Sequence, residues 1–511
     1  MTAQTKIFNT DKRIKLGIWG LGRGANFVKS AAFLNIDVVA GCDIHPEIRE
    51  RFQQIAPKAR CTADEKEFLS WDMDAVLVAT YLPDHAEHTI RVLESGRHVM
   101  CEVTAFQTPA DAVRLVEAVE KSGKVYNLLE NYPFTRENMY LQKLWSEGFF
   151  GDFLYGEFEY LHEYRALSYG YNTTPKVLPV EPGWAVHRWR STLNYHYYCT
   201  HSLGPAMYIT GLRPESISAV RDEVTMTGYL DGGRHATAAP SIIKMSNGGL
   251  LRNLMGSTTN DYHAGLRLWG TRAAAEKLHG LKLRVGGSGS GGMFLSLDPK
   301  WNELGELARE TGHGGGDFWE LYYFAREILT GEPAPWNIYA ACDVTMAGLM
   351  AVRSEKRNGE LVKIPDLRKA GDRELCRHDH GDLPTLDTSD VFPAGHETEL
   401  AGQFTRVMTE LYPRGNGGLV LFNNVMDGMR IYNDLLDADS KLQVRNAVGR
   451  LICELPALAA TCRTAQKIQA AYPDSKPGRT IARVLADRNL EKILNYEQTI
   501  RELEDWQNHL I

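Results

Sequence analysis

A glycine-rich turn, Gly20-Leu21-Gly22-Arg23-Gly24-Ala25, constrains this chain more than any other feature. It follows an apolar run, Ile14-Lys15-Leu16-Gly17-Ile18-Trp19, and precedes a helical stretch over 25–33. Read as G-x-G-x-x-A, the pattern uses Gly20 for a tight turn and Gly22 for close approach of a pyrophosphate to the backbone. Ala25 is then the small residue that lets helix and strand pack closely. The phosphate would lie at a helix N-terminus, where free N–H groups and the dipole favour an anion. Glycines make turns everywhere, but here a second strand, 37–42, ends at Asp43, about 20 residues on. A carboxylate there binds a ribose 2′-hydroxyl and repels a 2′-phosphate, so the pattern predicts NAD, held by Gly20, Gly22, Arg23, Gly24 and Asp43.

The segments that follow keep the same rhythm. Strands at 75–79, 98–101 and 125–129 alternate with helices at 85–95 and 109–122, which predicts an α/β, doubly wound parallel sheet over residues 1–130. The texture then changes. A helix at 136–147 precedes alternating segments at 153–162, 216–229, 240–246 and 249–257, the mark of antiparallel strands. With the flexible glycine loop 286–292, helices at 317–329 and 339–357 and a last strand near 361–364, residues 131–366 read as an α+β open-sheet domain. A polar segment, 371–398, leads into helical patterns at 397–411, 420–436, 440–471, 478–487 and 489–509, so 367–511 reads as an appended helical region.

Composition narrows the partners. Lys and Arg total 57 against 64 Asp and Glu, and this mildly acidic balance without basic runs excludes nucleic acid as the main partner. No apolar stretch approaches the ~20 residues needed to span a bilayer. The first residues hold no signal core, and the eight cysteines never form Cys-x-x-Cys. A cytoplasmic protein with reduced thiols and no membrane partner is expected.

Two runs, Val78-Ala79-Thr80-Tyr81-Leu82-Pro83-Asp84-His85 and Ser95-Gly96-Arg97-His98-Val99-Met100-Cys101-Glu102, resemble the glucose–fructose oxidoreductase/inositol dehydrogenase (Gfo/Idh/MocA) superfamily. The resemblance covers about residues 14–366 and leaves the helical tail unmatched. It implies a Rossmann domain joined to an open-sheet domain, a sugar between nicotinamide and sheet, and a homo-oligomer, and it adds Thr80, His85, Glu102 and Glu130 to the cofactor contacts. One departure matters. Dehydrogenases of this superfamily carry Glu-Lys-Pro where this chain has Glu102-Val103-Thr104, and valine can neither carry nor position a proton.

Further strings are similar to the NAD-dependent α-N-acetylgalactosaminidase family of glycoside hydrolases, which also lacks that lysine. They are Leu129-Glu130-Asn131-Tyr132, Glu159-Tyr160-Leu161-His162-Glu163, Trp189-Arg190, Tyr198-Cys199-Thr200-His201-Ser202-Leu203-Gly204-Pro205 and Gly312-His313-Gly314-Gly315-Gly316-Asp317. The resemblance implies a redox-assisted glycosidase that oxidises C3, eliminates across C1–C2, adds water and reduces C3 again. On that reading His201 accepts the C3 hydroxyl proton, Tyr160 or Tyr198 is the C2 base, His162 shares the site, and Trp189 and Arg190 hold the sugar. Glu130 holds the nicotinamide ribose or a sugar hydroxyl. A sugar 3-dehydrogenase that releases the keto sugar, and a non-catalytic sugar–nucleotide regulator, stand as alternatives. Asp317 is expected to cap a helix. His378-Asp379-His380 reads as a polar loop, and no metal is expected.

Overall fold

The structure is a computed structural model that describes residues 7–162, 194–224, 226–229, 238–256, 264–287, 291–381, 397–413, 418–429 and 436–509. Trp189 and Arg190, the expected sugar contacts, lie outside the described residues.

Six strands build the first sheet: β1 (Ile14–Trp19), β2 (Ile36–Cys42), β3 (Arg60–Thr62), β4 (Ala75–Val78), β5 (His98–Glu102) and β6 (Tyr126–Leu129). All run parallel, in the order β3-β2-β1-β4-β5-β6. Helices cover both faces, so every residue of β4 and β6 is buried, and β4 reads as an unbroken apolar run, Ala75-Val76-Leu77-Val78. The strand order reverses between β1 and β4, and a crevice opens there beyond the carboxyl ends of the strands. The glycine turn lies at this point. The helix expected over 25–33 is in fact two pieces, Leu21–Gly24 and Phe27–Phe33, because the turn itself coils before the main helix begins.

The second sheet is larger than its sequence suggests. Nine strands run in the order β14-β13-β12-β11-β7-β10-β9-β8-β15, with β7 (Phe153–Leu161) beside β10 (Leu250–Gly256) in parallel and the other neighbours antiparallel. Strand β8 (Pro214–Ala219) stops ten residues short of the expected 216–229, β9 spans Ala238–Met245, and β15 is Val362–Lys363. Four strands escaped the sequence reading: β11 (Leu266–Gly270), β12 (Ala274–Lys277), β13 (Leu281–Gly286) and β14 (Gly292–Leu297). Their alternation is short and broken, and the glycine run taken as a loop joins β13 to β14 as a hairpin.

Strand β7 shows the two-residue period clearly, burying Gly156, Phe158 and Tyr160 on one face. Against that face lies the helix Thr200–Thr210, in which nearly every residue is buried; Ser202 Oγ donates to Asn253 Oδ1 of β10 at 2.5 Å. A helix buried all round belongs between layers, and this one is enclosed by the sheet and by the helices Arg136–Ser146 and Ile338–Lys356. The C-terminal helices, among them Ala438–Ala471 with Pro456 inside it, enclose a separate core that includes Phe404, Phe422, Leu451, Leu455 and Leu503. The pattern over 489–509 divides at Asn495 into Leu490–Leu494 and Tyr496–Asn508. Arg483 Nη2 in this region donates to the Tyr229 carbonyl at 3.1 Å. All eight cysteines are free thiols, and among the described residues no helix is long and apolar enough to cross a membrane.

Candidate active site

Gly20 has φ 90°, ψ 88°, and a Cβ there would run into the Ala79 carbonyl at the end of β4. Only glycine lets the first strand turn so tightly against its neighbour. A Cβ on Gly22 would meet nothing within 4 Å, so its backbone faces open space on the crevice side. The close helix–strand contact assigned to Ala25 belongs instead to Gly24, whose Cβ would strike Ile18. Asp43 Oδ2 accepts from the Leu21 N–H at 2.9 Å and Oδ1 from the His45 N–H at 2.9 Å, which fixes the carboxylate at the mouth of the turn. A glycine turn free of side chains, a helix start and a carboxylate at its mouth fit a dinucleotide with an unphosphorylated ribose.

Arg23 points away from that surface. Its Nε donates to Glu102 Oε1 at 2.8 Å, and its two Nη groups grip Asp317 at 2.8 and 2.7 Å. Asp317 is wholly buried on the helix Gly316–Thr330 and also accepts from His313 Nδ1 at 2.9 Å. Burial pushes its carboxyl up, but the bonds from Arg23 and His313 outweigh that and hold it well below the usual carboxylate range. Asp317 is therefore no helix cap, as expected from sequence, but the anchor that ties the cofactor turn to the second domain. Removing one partner of such a buried pair costs about 3–5 kcal/mol.

His85 is fully buried under the ends of β4 and β5. Its Nδ1 lies 2.8 Å from the Thr104 carbonyl and its Nε2 3.1 Å from the Thr80 carbonyl. Carbonyls only accept, so both nitrogens donate only if the ring is an imidazolium. Burial opposes that charge, but Cys101 and the two carbonyls raise the ring to about 9. Its neighbour His88 stacks on Trp19 at 4.1 Å and bonds Thr80 Oγ1 through Nδ1 at 2.9 Å; burial and the charge of His85 lower it to about 4.

The residues with acid–base chemistry converge where β6 ends. Glu130, wholly buried, lies with Oε1 and Oε2 at 2.8 and 3.0 Å from His201 Nδ1, and Oε1 also accepts from the Tyr132 N–H at 3.2 Å. Burial and this carboxylate together push the Cys199 thiol up to about 12. Gly204, one turn beyond His201, makes room: a Cβ there would lie 3.0 Å from Glu130 Cγ. A carboxylate accepts only, so Nδ1 carries a hydrogen, and in the neutral ring that tautomer leaves the lone pair on Nε2. Three tyrosine rings surround His201, with centroids at 4.7 Å (Tyr132), 4.8 Å (Tyr160) and 4.9 Å (Tyr198), and His162 lies 5.8 Å from Tyr160.

The structure thus gathers His201, Tyr160, Tyr198, His162 and Glu130 in one place, and Gly20, Gly22, Gly24, Asp43, Thr80 and Glu102 around the crevice. It turns Arg23, His85 and Glu130 onto protein partners, where a direct cofactor contact had been expected. Val103 is buried and belongs to the core. Sequence reasoning passed over Tyr132, although it stands in a matched string, and Glu320, the one charge in the apolar run Phe318-Trp319-Glu320-Leu321. Asp379, between His378 and His380, pairs with Arg353.

Comparison with known proteins agrees with this architecture. Residues 14–129 match the oxidoreductase family with an NAD-binding Rossmann fold, and 297–372 match the glycosyl hydrolase 109 C-terminal domain. A glycosyl hydrolase family 109 protein of Shewanella pealeana is 25% identical over 407 residues, covering 70% of this chain and 86% of its own length. An alpha-N-acetylgalactosaminidase of Shewanella oneidensis is 24% identical over 404 residues, covering 70% and 85%. Among solved structures, levoglucosan dehydrogenase in complex with NADH and L-sorbose superposes with TM-score 0.58 at 18% identity, over 70% of this chain and all of that one. An inositol dehydrogenase homolog of Azotobacter vinelandii, with NADH and myo-inositol, gives 0.55 at 21%, over 69% and 98%. The chain is thus an NAD-dependent enzyme whose residues 14–129 match a Gfo/Idh/MocA oxidoreductase-family Rossmann domain and whose residues 297–372 match a glycosyl hydrolase 109 C-terminal domain.

Proposed function

We propose that the protein hydrolyses a glycoside by oxidising the sugar transiently at C3. The observation that carries this reading is the Glu130–His201 pair within its ring of tyrosines, in a chain that has Val103 in place of the dehydrogenase lysine. NAD would be held at Gly20, Gly22, Gly24, Asp43, Thr80 and Glu102, and would supply a reversible hydride acceptor for C3. His201 Nε2 takes the C3 hydroxyl proton as the ketone forms, oriented through Nδ1 by Glu130. The ketone acidifies the C2–H. Tyr160 or Tyr198 removes that proton, and the C1 substituent leaves with its bonding electrons and gains a proton. Water then adds hydroxyl at C1 and a proton at C2, and His201 returns its proton to O3. Atoms and electrons balance, so no net oxidation results.

Support comes also from the glycosyl hydrolase 109 relatives, one of them named for α-N-acetylgalactosaminide cleavage. Tyr132 closes the ring and shields the histidine, while Arg23 and His85 hold the frame on which the cofactor rests. Trp189 and Arg190 remain the proposed sugar contacts. The test is a glycoside panel in heavy water, followed by released sugar and nicotinamide absorbance. Cleavage with deuterium at C2 and no build-up of NADH supports the reading; cleavage that leaves C2 protiated overturns it. Steady NADH with no cleavage would show a 3-dehydrogenase instead.

A further inference from the structure

Glu320 stands three residues beyond Asp317 on the same helix, facing the junction of the two domains. It is 4% exposed, and among the described residues neither Oε1 nor Oε2 has a hydrogen-bond partner. Four charged groups face it: Asp317 on its own helix, Glu102 at the end of β5, Glu130 just after β6, and Arg23 in the cofactor turn. Arg23 is the one cation of the four; its Nε donates to Glu102, and each Nη group donates one hydrogen bond to Asp317. An ionised Glu320 would be a fourth negative charge beside a single cation that already holds two carboxylates, buried and, among the described residues, with no hydrogen bond to either oxygen. Nothing in the site compensates that cost, whereas the neutral acid avoids it. Burial first, then Asp317 and Glu102, push this carboxyl well above its usual range.

We infer that Glu320 is a proton-holding positioning residue of the cofactor site. As the neutral acid it leaves Arg23 clamped between Glu102 and Asp317, which keeps the glycine turn docked on the second domain. When it ionises, it competes with those two carboxylates for Arg23, the clamp loosens, and the dinucleotide is held less tightly. The inference rests on NAD binding and not on the glycosidase chemistry, and it can fail without touching that reading.

The experiment measures the NAD dissociation constant of the full chain from pH 6 to pH 10, by calorimetry, in wild type, Glu320→Gln and Glu320→Met. The glutamine keeps the shape and cannot ionise. Wild type is expected to lose at least about tenfold in affinity toward the alkaline end, since one unit of proton coupling corresponds to tenfold. Glu320→Gln and Glu320→Met should match wild type near neutrality and stay flat where wild type falls. The same alkaline loss in both variants, or no loss in wild type, overturns the inference. Infrared spectra of wild type labelled with carbon-13 glutamate give a second reading that needs no variant. A protonated carboxyl band at neutral pH that fades on alkalinisation supports it, and the absence of such a band refutes it.

Discussion

Replacing Glu130 by glutamine tests the central pair with little change of volume. In the wild type the carboxylate is wholly buried, the His201 side chain is 7% exposed, and they meet at 2.8 Å. A hydrogen bond to a charged group in such a place contributes about 1.5–3 kcal/mol. The amide can also donate to Nδ1, which puts the ring hydrogen on Nε2 and removes the lone pair that accepts the substrate proton. If that stabilisation is lost in the transition state, at about 1.4 kcal/mol per tenfold, kcat falls about 10- to 150-fold. The NAD dissociation constant should not move, because both Glu130 oxygens lie on His201 and on the Tyr132 N–H. The assay is steady-state hydrolysis of the best panel glycoside, with calorimetric NAD binding alongside. A kcat within about threefold of wild type would refute the pairing argument. Loss of NAD affinity with kcat unchanged would restore the sequence expectation that Glu130 holds the nicotinamide ribose.

Three further perturbations follow from the same geometry. His85 has a folded value raised to about 9 from 6.5, so the stability it contributes is fully present below about pH 6.5 and lost as pH rises through 9. The difference amounts to about 3 kcal/mol. Urea unfolding of wild type and His85→Phe across that window should show a decline in wild type that the variant lacks; parallel curves would contradict the imidazolium. Changing Gly204 to valine puts a Cβ at 3.0 Å from Glu130 Cγ and at 3.4 Å from Trp336 Cη2. Overpacking of this kind costs about 1–3 kcal/mol, so the thermal midpoint and kcat should both drop while NAD affinity holds. Asp43→Ser removes the charge at the ribose, and the ratio of NAD to NADP affinity should fall about tenfold or more, measured by competition binding.

Much of the first domain is local in origin, and so it can be read from the chain. Gly20 must be glycine because the turn after β1 has positive φ and presses on the β4 end, and the neighbouring apolar runs announce a sheet covered on both faces. The strings around Glu130, Tyr160, Tyr198 and His201 were legible in the same way, as short ordered motifs. The second sheet was legible only in part. Strands β11 to β14 are four to six residues long, and β14 is an edge strand with residues exposed at successive positions, so no clear two-residue alternation marks it.

The sequence by itself determined the cofactor turn, the change from a parallel sheet to largely antiparallel strands, and the set of titratable side chains that belong together. What only the tertiary structure decided is how those side chains spend their charges. Arg23 meets Asp317 across 294 residues, and Glu130 meets His201 across 71, separations that leave no trace in local periodicity. Nor does the pattern Gly315-Gly316-Asp317 distinguish a helix cap from an ion-pair anchor, since both use a carboxylate in the first turn. Glu320 is the clearest case: on the chain it is the one acid in the apolar run Phe318-Trp319-Glu320-Leu321. Burial, Asp317 and Glu102 push its carboxyl upward, and folding alone brings these groups to one point.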